Sequence, residues 1–400
     1  MHIKLWGAFS MLVSEVRSNL VNGIIPFWKR LRDNEYGGYY GLYDFDLNLH
    51  KRADKGVILH SRILWFFSNA YQATKDIGCL EHAKSCYDFI KNKCMDNEYG
   101  GVYWSVSFDG TPVDTTKHTY NQAFAIYGLS SYYDVSGDKE ALRMAYELFH
   151  LIEKKLKDSI GYMEAFYRDF TPTSNEKLSE NGLMASKTMN TLLHVLEAYT
   201  ELYRVDANEE VRRCLEWILQ QFETVLYNPE KRMLEVFFDE NMNTLSDLNS
   251  YGHDIEASWL IDRAINVLGN ESNTKNLKEI TEHLRKHIYE VGFDGTSLNN
   301  EMIHEVLDTT KIWWVQAESV VGFLNGYEIS NNEKYLDAAI SIWNFIKDKM
   351  IDKRENSEWF YDLNGEGIPV SKKEIAGPWK CPYHNGRMCF EIISRNIQGF

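Results

Sequence analysis

The sequence predicts an all-α protein, a closed toroid of six helical hairpins with short strand-like loops at one end. Three observations lead there. The hexapeptide Asp-Asn-Glu-Tyr-Gly-Gly stands at 33–38 and again at 96–101, and looser echoes begin at 158, 228, 293 and 352. Successive starts lie 63, 62, 70, 65 and 59 residues apart, so six units fill the chain; a fixed period of this length marks a repeat architecture. Between the echoes two kinds of helical segment alternate. The third observation is the apolar-rich end, 387–397. An open solenoid would need a polar capping repeat there, so closure is the better reading.

The first inner segment, 61–73, reads Ser-Arg-Ile-Leu-Trp-Phe-Phe-Ser-Asn-Ala-Tyr-Gln-Ala and is apolar nearly all round. Segments 120–133, 188–203, 252–268 and 313–329 share that character. Segments 80–93, 141–156, 209–226, 275–289 and 334–350 each carry a charged face. A helix apolar on every side is buried and an amphipathic one lies outside. Gly-Gly and Asp-Gly pairs supply the turns. A length of 400 residues would ordinarily suggest two or three domains, but the repeat argues for one, spanning 11–400. Residues 1–10 are expected to be an N-terminal extension. Their apolar stretch runs into Ser14-Glu15-Val16-Arg17 with no small-x-small cleavage pattern, so Met11 is expected as the natural first residue.

With 44% hydrophobic residues the chain can bury a large core. Its net charge of -15 excludes the basic face that nucleic acid requires. No apolar run approaches the roughly 18 residues of a membrane span. Cys79, Cys86, Cys94, Cys214, Cys381 and Cys389 form no paired C-x-x-C motif, which argues against structural zinc. Buried thiols at this density suit a reducing cytoplasm.

Polar residues sit at the starts of the predicted inner helices: Arg62, His118 with Tyr120, Asn190 with His194, His253 with Glu256, Trp313 with Trp314, and Trp379 with His384. Closing the ring brings these ends to one pocket. His82, His150, His283, His287 and His304 fall on or beside outer helices and read as solvated. His194, framed by Leu192-Leu193 and Val195-Leu196, reads alone as a core histidine. Glu256 lies three residues after His253, on the same helix face, placed to fix its tautomer. Trp313, Trp314 and Trp379 offer flat faces for a pyranose ring. Adjacent helical residues diverge, so at most one of Trp313 and Trp314 faces the pocket squarely. No G-x-S-x-G, phosphate-binding loop or dinucleotide fingerprint occurs.

Longer motifs carry a resemblance. They are 53–59 with 62–65, Lys117-His118-Thr119-Tyr120-Asn121, Ser179-Glu180-Asn181-Gly182, Lys187-Thr188-Met189-Asn190, 250–257, 313–318 and 377–387. From about Met11 onward the chain resembles the N-acylglucosamine 2-epimerase superfamily in its cellobiose-epimerising branch. That resemblance implies an (α/α)6 toroid (barrel) and epimerisation at C2 of the reducing-end sugar of β-1,4-linked disaccharides and oligosaccharides such as cellobiose or lactose. It also implies no metal or nucleotide cofactor; with no nucleic-acid or membrane partner expected from charge and hydropathy, the chain is expected to act on a small-molecule substrate as a monomer. The resemblance matches His253 and His384 to an acid/base pair, and His194, Arg62, Glu256 and Asn190 to further active-site positions. Tyr120, Trp313 and Trp379 match substrate-contacting aromatics, with Trp314 and His118 as further candidates. At His60 the resemblance leads one to expect Asn.

The chemistry fits the residues. In an open-chain aldose C2–H lies beside a carbonyl and can leave to give a cis-enediolate; inversion needs a second proton donor on the opposite face. Histidine serves as acid or base near neutrality, and Arg62 can stabilise the developing oxyanion. Alternatives are an aldose–ketose isomerase, which returns the proton to C1, an N-acylglucosamine 2-epimerase, a toroid glycoside hydrolase using Glu256 and Glu318 as opposed carboxylates, and a non-catalytic sugar-binding protein.

Overall fold

The computed structural model describes residues 2–178, 183–269 and 274–395. The chain opens with α1 (His2–Asn19) and the short α2 (Ile25–Arg30). Five helix pairs follow: α3 (Val57–Thr74) with α4 (Ile77–Phe89), α5 (Thr119–Ser136) with α6 (Lys139–Leu151), α7 (Met189–Asp206) with α8 (Glu209–Gln221), α9 (Tyr251–Leu268) with α10 (Lys275–Val291), and α11 (Trp313–Ser330) with α12 (Glu333–Phe345). A lone helix, α13 (His384–Ser394), comes last.

Helices α3, α5, α7, α9, α11 and α13 pack each on the next, and α13 packs back on α3. The inner ring is therefore closed, as the sequence predicts. The even-numbered helices from α4 to α12 lie outside it. The sixth outer place belongs to α1, which packs on α12 and α13. The two ends of the chain thus complete the sixth hairpin. α1 runs through the expected boundary at residue 11 and buries Phe9, Leu12 and Val16. α3 begins at Val57 rather than 61, because Gly56 is the last extended residue and the apolar Val57-Ile58-Leu59 turn already faces the core.

Two-residue links explain the tight hairpins. Lys75, Gly137 and Asn331 end inner helices in the left-handed conformation. The next residues, Asp76, Asp138 and Asn332, cap the outer helices by accepting from Gly78, Glu140 and Lys334 N–H. At the other end short antiparallel strand pairs stitch neighbouring units together. Lys55 pairs with Val106, Lys117 with Phe166, Lys187 with Phe238, Asn249 with Met302 and Lys311 with Leu363. A bridge between Tyr43 and Ala376 closes this outer stitching as well.

The sequence echo has a physical origin. The leading aspartate of a unit folds its turn by accepting backbone N–H groups, as Asp33 does from Glu35 and Tyr36. It also pairs with a buried lysine that stands just before the next inner helix. The pairs are Lys55–Asp33 at 2.7 Å, Lys117–Asp96 at 3.0 Å, Lys187–Asp158 at 2.7 Å and Lys311–Asp294 at 2.6 Å. Lys380 makes the matching pair with Glu358 at 2.5 Å. The fourth unit replaces both partners by amides: Asn228 donates to Glu235 and Asn249 donates to Asp254. With no cation beside it, burial pushes the Asp254 carboxyl up to about 8. A second device stands five residues after Lys117 and after Lys311. Gln122 and Gln316 bond both backbone groups of Val102 and Leu298 in the preceding hairpins.

His60 occupies that same register. Its Nε2 accepts Tyr39 N–H at 2.9 Å and its Nδ1 bonds Gly56 O at 2.8 Å. Burial lowers it to about 4, so it stays neutral. Its role is to hold the first hairpin, and Gly38 must be glycine there. A Cβ on Gly38, at φ +66°, would lie 2.7 Å from His60 Nε2. Three of the five outer histidines expected to be solvated are in fact half-buried: His82 stacks on Phe67 and bonds Tyr39, His150 packs edge-on against Phe149, and His287 bonds Asn249.

Lys55→Met is expected to destabilise the fold by about 3–5 kcal/mol, because it leaves Asp33 charged and buried without its partner. Urea unfolding of the two proteins measures this; a loss under about 1 kcal/mol would mean the pair is dispensable.

Candidate active site

Counting seven residues on from each lysine position reaches Arg62, Phe124, His194, Glu256, Glu318 and Arg387. All are buried, one from each inner helix, at one level around the axis. Above them, at the N-terminal ends of the inner helices, opens a cavity of about 250 Å³. Arg62, Tyr120, Asn190, His194, His253, Glu256, Trp313, Trp314, Trp379 and His384 all line it. The convergence expected from the sequence is thereby present for these ten. His118 is not among the lining residues; it is buried behind Trp104, ring centroids 4.6 Å apart. The motif 179–182 lies outside the described residues.

His253 and His384 flank Trp314. The indole centroid is 4.8 Å from one imidazole and 5.4 Å from the other. Trp314 is thus the tryptophan between the histidines, while Trp313 packs on Tyr361 at 4.5 Å. Both line the cavity, and Trp313 is the more deeply buried. Gly252 makes this possible. A Cβ there would come within 2.5 Å of the Trp314 ring and 2.7 Å of Val315. Gly252→Ala is therefore expected to displace the indole and lower kcat/KM about 10²-fold, the scale of a 1 Å misplacement. Steady-state kinetics on cellobiose checks this; wild-type kcat/KM would show that Trp314 is not placed critically.

Each cavity histidine has its Nδ1 engaged, which leaves Nε2 for a ligand. His194 Nδ1 bonds Glu197 at 2.9 Å, His384 Nδ1 bonds Glu318 at 2.8 Å, and His253 Nδ1 bonds the Ser250 hydroxyl at 2.7 Å. The expected Glu256–His253 contact is absent. Glu256 turns instead to Arg387, because the ring interior offers a buried guanidinium and a carboxylate cannot stay unpaired there. Burial, assisted by the nearby His194, lowers His253 to about 3. Burial and the cations Arg387 and Arg62 hold His384 well below the usual histidine range. Burial pushes Glu318 up to about 8 against the pull of Arg387. Glu197 resists its burial through Arg387 and drops to about 2.

Arg62 donates to Tyr120 Oη at 2.7 Å and lies over the Phe124 ring at 4.1 Å. Four buried polar atoms on lining residues have no partner: Arg62 Nε, Asn190 Oδ1, Glu256 Oε2 and Trp313 Nε1. Buried polar groups in native proteins are ordinarily satisfied, so these are the places for a polyhydroxylated ligand. Glu256, Glu318 and His384 bring ligand atoms within 4.8 Å of one another. Arg387 bonds both carboxylates, so a guanidinium already supplies the cation at that point. Sequence reasoning missed three lining residues, Lys177, Leu178 and Tyr361. All three lie on loops, outside any periodicity. It also gave Arg387 no role, although the seven-residue count finds it.

The ring and cavity define a closed helical toroid that gathers three histidines, an arginine and three tryptophans at one end. The family model for N-acylglucosamine 2-epimerase (GlcNAc 2-epimerase) matches residues 37–386, and the chain belongs to that family. Within it, the chain is 54% identical over 387 residues to a cellobiose 2-epimerase of Ruminococcus albus, covering 97% of this chain and all of that one. Among solved structures, a sugar epimerase from a ruminal bacterium matches with TM-score 0.95 at 54% identity, over 96% of this chain and 99% of that one. The cellobiose 2-epimerase of Bacillus thermoamylovorans matches with TM-score 0.94 at 44% identity, over 96% of this chain and 100% of that one.

Proposed function

We propose that the protein inverts C2 of the reducing-end sugar of β-1,4-linked disaccharides and oligosaccharides, converting cellobiose to glucosylmannose and lactose to epilactose. The observation that carries the reading is the pair His253 and His384 on either side of Trp314, each with Nδ1 held and Nε2 left for the substrate. One Nε2 takes the C2 proton of the open-chain sugar, and the C–H electrons pass into the carbonyl to give the enediolate. The other Nε2 returns a proton to C2 from the opposite face. Arg62 stabilises the enediolate oxygen, with His194 and Asn190 holding O1 and neighbouring hydroxyls. The sugar ring stacks on Trp379 and Trp314, and Glu256 Oε2 takes a hydroxyl hydrogen. No metal or nucleotide enters the reaction.

A hydrolase would need two carboxylates free to face the glycosidic bond. Glu256 and Glu318 instead both bond Arg387. Product analysis after incubation with cellobiose separates the readings. Glucosylmannose supports epimerisation; glucosylfructose, glucose or no product would replace it with isomerisation, hydrolysis or binding. The reading includes a single catalytic domain that takes in the whole of α1, a monomer, and a cytoplasmic location suited to six unpaired thiols. No helix among the described residues is long and apolar enough to cross a membrane.

A further inference from the structure

Three buried carboxylates meet one guanidinium below the cavity. Arg387 bonds Glu197, Glu256 and Glu318, and all four side chains are 3% exposed or less. Charged and titratable groups face this point from every inner helix. Arg62 comes from α3, Tyr120 from α5, His194 and Glu197 from α7, and His253 and Glu256 from α9. Glu318 comes from α11, and Tyr383, His384 and Arg387 from the last unit. Tyr120 and Tyr383 stay neutral, since burial raises both phenols above their ordinary range. Two arginines against three carboxylates leave one negative charge in excess, in a place where solvent cannot screen it.

A proton relieves that excess, and only one of the three carboxylates is placed to pass it to a cavity histidine that removes or returns the C2 proton. Glu197 bonds His194 and Tyr383, and Glu256 bonds no histidine. Glu318 Oε1 bonds His384 Nδ1 at 2.8 Å, while its Oε2 accepts from Trp259 Nε1 at 3.1 Å. His253 has nothing comparable; its Nδ1 partner is the Ser250 hydroxyl.

We infer that Glu318, held by Arg387 and Trp259, is a positioning residue that shares one stored proton with His384, so that His384 meets the substrate as the acid and His253 as the base. This deepens the epimerase reading and rests on it. The step balances. His253 Nε2 takes the C2 proton from one face, and the C–H electrons form the enediolate. His384 Nε2 donates its proton to C2 on the other face while Nδ1 receives the proton held by Glu318. The cycle leaves His253 charged and Glu318 ionised, and one proton returning through solvent or substrate hydroxyls restores the start.

The store has a signature that a purely structural role lacks. Once the stored proton is gone, His253 can still remove a C2 proton, exchange it with D₂O and put deuterium back on the same face. Inversion then falls while exchange with retention continues. In the wild type the ratio of exchange to inversion, for the epimer whose C2–H faces His253, should climb as pH rises through about 8, where the Glu318 carboxyl loses its proton. In Glu318→Gln the ratio should already be at least about tenfold higher at neutral pH, with inversion reduced about 10²-fold. In substrate-free protein, ¹⁵N-histidine NMR should show His384 Nδ1 titrating above neutrality in the wild type and not in the variant. A ratio flat between about pH 6 and 10 in the wild type, or a His384 step unchanged in Glu318→Gln, overturns the inference. The wild-type measurements need no variant to fold. If cellobiose yields no glucosylmannose at any pH, the epimerase reading fails, and the NMR titration still tests the stored proton.

Discussion

His253→Ala and His384→Ala are each expected to lower inversion at C2 by about 10²–10⁴-fold, the usual loss of a general acid or base. The more telling result is how the two variants differ. Inversion through a planar enediolate needs a proton donor on each face, and the two imidazoles stand on either side of Trp314. A variant that keeps one base still removes the proton from the epimer whose C2–H faces that base. It should exchange that hydrogen with D₂O without inverting it. One variant should therefore label cellobiose and the other glucosylmannose, read by NMR or mass spectrometry. Equal labelling of both epimers by both variants would mean that one base serves both faces, and the two-histidine assignment would be wrong. The fold should tolerate either change. Each imidazole lines the cavity, and its loss frees a Ser250 hydroxyl or a Glu318 carboxyl that water can reach.

Arg62→Met should cost about 10²–10³-fold in kcat, the scale of losing one preorganised donor at a developing oxyanion. Arg62 is 2% exposed and bonds no carboxylate; its contacts are Tyr120 Oη, the Cys381 sulfur and aromatic faces. Its guanidinium is therefore not locked in a direct ion pair and lies at the cavity, where the enediolate would form. An interaction made only in the transition state lowers kcat and kcat/KM together and leaves KM nearly unchanged. A variant with raised KM and wild-type kcat would recast Arg62 as a ground-state binding group. Methionine preserves the packing against Phe124, so a circular dichroism melt separates lost chemistry from lost structure.

The echo at 33 and 96 was legible because a buried ion pair and a tight turn restrict residue choice strongly. Asp33 and Asp96 each serve a lysine and a turn at once, and few substitutions satisfy both. The inner helices were legible for a similar reason, since a helix surrounded by protein can carry few charges. The outer place of α1 was not. Its buried face, with Phe9, Leu12 and Val16, reads as a short apolar run until closure supplies α12 and α13 to cover it. The ten cavity-lining candidates were found by type and position, because each stands in the first turns of an inner helix or, for Trp379, just before one. Pairing was the part that sequence could not reach.

Taken alone, the sequence determined the number of units, which helices lie inside, and that histidines, tryptophans and an arginine gather at one end. Those properties depend on local spacing and on whether a segment tolerates charge. Tertiary structure alone decided the partners. Proximity along α9 favoured Glu256 for His253, yet Glu256 went to Arg387, 131 residues away. His384 found Glu318 across 66 residues, and His60 and His118 became supports rather than site groups. Inside a closed ring a buried charge is satisfied by the nearest opposite charge in space, and closure sets that distance, which the interval along the chain does not record.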